Sequence, residues 1–160
     1  MRLEQTPIRR RKLVQADYAA LGAFRHALRR FLAFSSAEAA AQGLTPQQHQ
    51  ALLAIKAHEG PEPVSVGELA RALLIRNHSA VGLVDRLSAR GLVTRGHSIR
   101  DRRRVVLHLT PTGAKVLEAI SRRNLAKLKA SLPVFTDLLY ALEQLELPAP
   151  EQRSRIVDTV

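Results

Sequence analysis

The chain has 160 residues, enough for one ordinary domain, and 46% of them are apolar while only 4% are aromatic, so a packed core must be built mainly from Leu, Ala, Val and Ile. It contains no cysteine, which excludes disulfides, thiolate metal sites and thiol redox chemistry, and no apolar run approaches the ~20 residues of a membrane span. The formal net charge is +11, and residues 1–44 and 64–110 hold nearly all of it, at +5 and +6. A positive field focused in this way suits a polyanion, although a solvated basic face gives the same count. The basic N-terminus is not followed by the apolar stretch of a signal peptide, so a cytoplasmic protein is expected.

Residues 1–12 are polar and include the run Arg9-Arg10-Arg11-Lys12, which fits a basic arm or a frayed helix start. A long helix is predicted over 17–42, capped by Asp17. Its apolar face carries Tyr18, Leu21, Phe24, Leu28 and Phe31 or Leu32, and Gly43 stops it in a left-handed conformation. Thr45-Pro46-Gln47-Gln48 has the elements of a capping box with Pro at the first helical position. The helix it opens runs to about residue 58, with Ala51, Leu52, Leu53 and Ile55 as core candidates, and Gly60-Pro61-Glu62-Pro63 breaks it. Ser65-Val66-Gly67-Glu68 is a second capping box, opening a short helix through Leu69, Ala70 and Leu73. After a connection at 75–77, a further helix reaches residue 90. Ala80, Leu83, Val84 and Leu87 share its inner face, and Gly91 ends it.

The apolar period then changes. Residues 92–97 and 105–109 have strand character and flank the charged loop 98–104, which predicts an antiparallel ribbon. Thr110-Pro111 repeats the helix-start signal of Thr45-Pro46. A long helix is expected over 111–131, then a last one over 134–145 that begins at Pro133, then a polar tail. The fold class is mainly α with a small β wing: a winged helix-turn-helix centred on about 45–110 in a single domain.

A helix of such a motif fits the major groove of DNA, about 12 Å wide, while a charged β loop reaches the neighbouring groove. On the 77–90 helix the face opposite the apolar one presents His78, Ser79, Gly82 and Arg86, with Val81 and Asp85 at its edge. His78 and Ser79 are best placed to read base edges, and Arg76 and Asn77 to reach phosphates or bases. Gly82 costs about 1 kcal/mol against Ala in mid-helix and allows close approach. Arg100, Arg102, Arg103 and Arg104 make the wing strongly positive, as a narrow minor groove demands. Ser65 has two readings, a cap and a phosphate ligand at a helix N-terminus.

Three segments carry a family resemblance: Gly67-Glu68-Leu69-Ala70; Leu83-Val84-Asp85-Arg86-Leu87 with Gly91-Leu92-Val93 and Arg95; and Asp101 to Thr110 followed by Gly113. In these segments and in the order of its elements the chain resembles the MarR family of bacterial transcription regulators. The resemblance implies a homodimer whose platform is formed by helices within about 8–44 and 111–147, chiefly 8–25 and 115–147. It also implies a double-stranded, pseudo-palindromic DNA operator, Arg103 as the leading minor-groove residue, and Asp101 orienting a wing arginine through an ion pair, beside the local reading of Asp101 as a turn residue. A small aromatic or anionic effector is implied to enter near Phe24, Arg25, His26, His49 and Leu53 and release a repressor from DNA.

No catalytic constellation, metal-ligand spacing or cofactor loop stands out, so neither an enzyme nor a cofactor is expected. The alternatives are a non-specific nucleoid-type DNA binder and a regulator that activates.

Overall fold

Most helix starts among the described residues coincide with side chains able to satisfy orphan amides. The computed structural model describes residues 12–145, and along them run α1 (Gln15–Ala41), α2 (Pro46–Ala57), α3 (Val66–Ala72), α4 (Asn77–Ala89), β1 (Val93–His97), β2 (Val105–Leu109) and α5 (Pro111–Glu143). The basic run at 9–12 falls largely outside the described residues, as does the tail from 146 onward.

Both predicted capping boxes form. Thr45 Oγ accepts from the Gln48 amide at 3.2 Å while Gln48 Oε1 accepts from the Thr45 amide at 2.9 Å. Ser65 and Glu68 repeat the exchange at 3.3 and 2.8 Å. Gly43 and Gly91 adopt the expected positive φ after α1 and α4. The start of α1 differs from expectation. Asp17 is not its cap but its third residue, and its carboxylate reaches back to accept from the Val14 amide at 2.7 Å. That placement still stabilises the helix, because a carboxylate in the first turn meets the positive end of the macrodipole.

The chain divides into two compact units, Phe31–Lys129 and the two terminal segments up to Arg30 and from Ala130, and α1 and α5 run through both. The first unit holds the core. Leu52, Leu69, Leu83, Leu87, Leu107 and Ile120 are fully buried there, joined by Val84 and Val93. Each large aliphatic side chain so buried contributes about 1.5–3 kcal/mol. The C-terminal part of α1 is tied to α5 by polar pairs within the same unit. Asn124 Nδ2 donates to Ser35 Oγ at 3.0 Å, Arg123 pairs with Glu38 at 3.3 Å, and the Lys127 ammonium lies 5.6 Å from the centre of the Phe34 ring. Leu53, predicted as core, is 45% exposed, because one residue along a helix turns ~100° away from buried Leu52.

In the unit of terminal segments the α1 stripe is not an interior face of the single chain. Tyr18, Leu21 and Leu28 are exposed and Phe24 is half-buried; on α5, Leu132, Val134, Leu139 and Tyr140 are exposed. The predicted break at Pro133 does not occur, and α5 runs through it as one helix. Proline removes a single amide donor and its fixed φ is helical, so strong helix formers on both sides, from Ala126 to Leu132 and from Leu138 to Leu142, carry the helix across.

The ribbon is antiparallel, with Val93 opposite Leu109 and His97 opposite Val105. A third segment lies on its outer edge, unforeseen from the sequence: Ser65 bridges Val106, and the Leu107 amide donates to the Val64 carbonyl at 2.9 Å. This edge fixes the start of α3 to the base of the wing. The other side of the base is fixed at α5, where Thr110 Oγ donates to the Gly91 carbonyl at 2.6 Å and accepts from the Gly113 amide at 3.0 Å. Gly113 packs so tightly here that a methyl group would collide with the Leu92 carbonyl. Gly113→Ala is expected to cost about 1–3 kcal/mol. Thermal unfolding checks this, and an unchanged midpoint would show that the junction gives way freely.

Candidate nucleic-acid interface

Burial of one face of α4 determines what its other face offers. Ala80, Leu83, Val84 and Leu87 lie inward, as their spacing predicts, and His78, Ser79, Asp85 and Arg86 lie exposed on the other side. Arg76 and Asn77 are exposed at its head. Arg76 occupies the cap position with extended backbone and makes no side-chain cap bond. A helix start normally leaves amides that need acceptors, and here no side chain supplies one. Gly82 is half-buried, and the Arg86 guanidinium lies across it, 3.5 Å from where a Cβ would stand.

The turn between α3 and α4 contains Leu74, which is 89% exposed and has a φ of 54°. A non-glycine residue in this region is strained by roughly 1–2 kcal/mol. It is held by the paired bonds of a left-handed helix end: the Leu74 amide donates to the Arg71 carbonyl at 3.1 Å and the Ile75 amide to the Ala70 carbonyl at 3.0 Å.

The wing departs from a simple basic loop. Arg100, Arg102 and Arg103 are exposed and have no carboxylate partner among the described residues. Arg104 is different: its guanidinium pairs with Glu68 at 3.1 Å and lies 3.3 Å from Ser65 Oγ. The Ser65 hydroxyl also donates to Glu68 at 2.6 Å. Both residues are therefore engaged at the wing's base, and the geometry realises the capping reading of Ser65. Asp101 does not form the expected ion pair. Its carboxylate accepts from the Arg103 amide at 2.9 Å, and its carbonyl accepts from the Arg104 amide at 2.9 Å, so it acts as the turn residue of the loop. The ion pair that links α4 to the ribbon is another one, Asp85 to Arg95 at 2.5 Å. Such a pair across an exposed surface contributes at most about 1 kcal/mol.

Glu62, in the connection between α2 and α3, is a site residue that sequence reasoning missed. Its carboxylate accepts from Ser98 Oγ at 2.7 Å, from the Ile99 amide at 3.0 Å and from the Arg100 amide at 3.1 Å. Ser98 first, then the two amides and the Arg100 charge, hold this carboxyl below the ordinary range. Nothing local marks it, since it sits in a Gly-Pro breaker far along the chain from its partners.

Of the residues implied for an effector, Phe24 is half-buried and Arg25 and His26 are exposed in one unit, while His49 is buried and Leu53 exposed in the other. Burial lowers the pKa of His49 below the ordinary imidazole value, and its Nε2 has no hydrogen-bond partner among the described residues. Asn124 Oδ1 is likewise buried without one. Among the described residues no three His, Asp or Glu side chains gather as metal ligands, and no helix is long and apolar enough to cross a membrane.

A short helix, a tight turn, a helix with an exposed polar face and a hairpin with a basic loop define a winged helix-turn-helix. Residues 42–104 match the model of the MarR family. The chain is 35% identical over 96 residues to the HTH-type transcriptional repressor NicR of Pseudomonas putida, covering 60% of this chain and 59% of that protein. It is 34% identical over 82 residues to the transcriptional activatory protein BadR of Rhodopseudomonas palustris, covering 51% and 47%. Among solved structures it resembles the multiple antibiotic-resistance repressor of Listeria monocytogenes, with a TM-score of 0.57 and 28% identity over 75% of this chain and 80% of that one. The chain spans between 47% and 63% of the length of the curated relatives it matches.

Glu68 links the cap to acidity. The Ser65 hydroxyl, then the Ser65 amide, then Arg104 hold its pKa down to about 2 against an ordinary 4.5. A depressed carboxylate pKa stabilises the fold above pH 4.5, and the contribution is lost as pH falls toward about 2. Glu68→Gln keeps the cap shape but does not titrate. It should lower stability by up to about 1 kcal/mol near neutrality. It should also flatten the acid limb over that window. Denaturant midpoints measured across pH check this; an acid limb identical to wild type would remove the link.

Proposed function

We propose that this protein is a dimeric, sequence-specific DNA-binding transcription regulator that acts by binding and not by catalysis. The observation that carries the reading is the pairing, in one compact unit, of an uncapped α4 start with a wing bearing three unpartnered arginines. Orphan amides at a helix start, together with Arg76 and Asn77, suit a phosphate. His78, Ser79, Gly82 and Arg86 are then offered to base edges in the major groove. Arg103, with Arg100 and Arg102, is offered to the minor groove, and Arg104 stays at the base with Glu68. Ser65 and Asp101 support the interface from behind.

Dimerisation is supported by the exposed apolar side chains of the terminal segments, Tyr18, Leu21 and Leu28 on α1 and Leu132, Leu139 and Tyr140 on α5. Rows of this kind on a single chain mark a surface that another chain covers. A twofold dimer implies a pseudo-palindromic operator with half-sites about one helical turn apart. Repression is the sign we favour, because NicR, which covers more of the chain than BadR does, is a repressor.

Selection of bound genomic fragments would supply the operator, and specificity above about 10³ over random duplex separates a regulator from a nucleoid-type binder. Arg103→Ala should then weaken operator binding by about 1–3 kcal/mol. With about eight charge contacts, log K should fall with log salt at a slope near −7. Titrations at fixed and varied salt measure both, and a near-flat salt dependence would retire the DNA reading. Release by a small aromatic or anionic effector is supported by the buried, unpartnered His49 Nε2 and Asn124 Oδ1, polar atoms that a ligand can satisfy. Aromatic carboxylates added to the preformed complex should lower the bound fraction, and less so for His49→Leu; no release by any of them would count against an effector of this class.

A further inference from the structure

The hydrogen-bond ladder of the ribbon ends at His97 and Val105, so residues 98–104 must hold their shape by other means. Part of the answer lies within the loop. The Ser98 amide donates to the Arg104 carbonyl at 3.0 Å, His97 Nδ1 meets the Arg102 carbonyl at 2.9 Å, and Asp101 accepts from the Arg103 and Arg104 amides. These bonds fix the loop relative to its own hairpin. They do nothing to fix it relative to the lobe that carries α4.

Among the described residues, the one group outside the hairpin that bonds the backbone of this loop is Glu62. Its Oε1 accepts from two consecutive amides, Ile99 and Arg100, and its Oε2 accepts from Ser98 Oγ. Ser98 is 3% exposed, and its Oγ in turn accepts from the Arg100 and Asp101 amides at 3.1 Å each. Three successive amides at the loop's start are thereby committed to one carboxylate and one buried hydroxyl. The side chains they carry remain open to solvent: Ile99 is 96% exposed, and Arg100 and Asp101 are exposed.

Electrostatics alone does not account for an acid in this place. A surface built to meet DNA loses attraction for every carboxylate it carries. Glu62 costs the wing charge and returns order, because hydrogen bonds to an ionised acceptor are among the stronger ones. We propose that Glu62 is a positioning residue for nucleic-acid binding: it locks the start of the wing loop to the α2–α3 connection, so that the loop's arginines are held in place before DNA arrives. Binding then orders less of the loop, which lowers the entropy cost of association.

This inference rests on the DNA-binding reading, and it predicts a sign opposite to that of simple charge. Glu62→Gln removes a negative charge beside the most basic loop, which by Coulomb attraction alone should tighten binding. Gln keeps the size but loses the ionised acceptor and points a donor at other donors. Positioning predicts binding of the selected operator duplex that is weaker by about five- to twentyfold. It also predicts faster hydrogen exchange at the Ile99 and Arg100 amides of the free protein, with the thermal midpoint little changed. In a background carrying Arg100→Ala, Arg102→Ala and Arg103→Ala the same substitution should change affinity less than about twofold, since it acts through those arginines. Equal or tighter binding by Glu62→Gln overturns the proposal. So does a loss that is undiminished in the arginine-free background, which would mark a merely structural role. A wild-type protein that selects no duplex would sink the regulator reading itself, and this inference with it; every other outcome leaves that reading standing.

Discussion

Burial of Ala80, Leu83, Val84 and Leu87 is the constraint on which the rest of the lobe depends. A helix has one rotational setting that buries four such positions, and choosing it commits every other residue of α4 to a known direction. His78, Ser79 and Arg86 are exposed because those four are not. The core that receives the helix is closed by Leu69 and Ala70 of α3, by Leu52 of α2, and by Val93 and Leu107 of the ribbon. Each of these elements is held in turn by a cap or an edge bond: Thr45 with Gln48, Ser65 with Glu68, Val64 with Leu107, and Thr110 with Gly91 and Gly113. Rigidity at the core is thus passed to the surface through short, local polar bonds.

Those same bonds sort the charges. The lobe has few acids near its basic face, and each is committed. Glu68 engages Arg104, Asp85 engages Arg95, Asp101 closes the wing turn, and Glu62 takes the amides of Ile99 and Arg100. Among the described residues Arg76 and Arg86 of α4 form no ion pair, and neither do Arg100, Arg102 and Arg103, which extend beyond the last rung of the ribbon. The excess of basic residues read from the sequence is therefore only a sum. The pairing decides that Arg104 is a structural cation at the base of the wing and that its neighbours are free to meet an anion.

The legible parts of the chain are those where one short segment carries all of the physics. Thr45-Pro46-Gln47-Gln48 and Ser65-Val66-Gly67-Glu68 hold donor and acceptor three residues apart, and they fold as they read. The inner face of α4 and the positions of both strands follow from periodicity in the same way. Failures occur where a local signal competes with its surroundings. Pro133 reads as a break, but one lost amide bond does not outweigh the helix formers around it. Leu53 reads as core because it is apolar, although the helix turns it outward. Asp101 reads both as an arginine partner and as a turn residue, and its own backbone neighbours take its carboxylate for the turn.

The sequence by itself determined the succession of helices, the two-stranded wing, the basic character of one face and the class of DNA-binding motif, because periodicity, caps and charge are properties of neighbours in the chain. Tertiary structure alone decided which arginines are free, that Val64 and Ser65 add an edge to the ribbon, and that Glu62 reaches the wing across the span from residue 62 to residue 100. These are meetings between distant segments. Their partners are chosen by how the core brings backbones together, and no spacing along the chain records that choice.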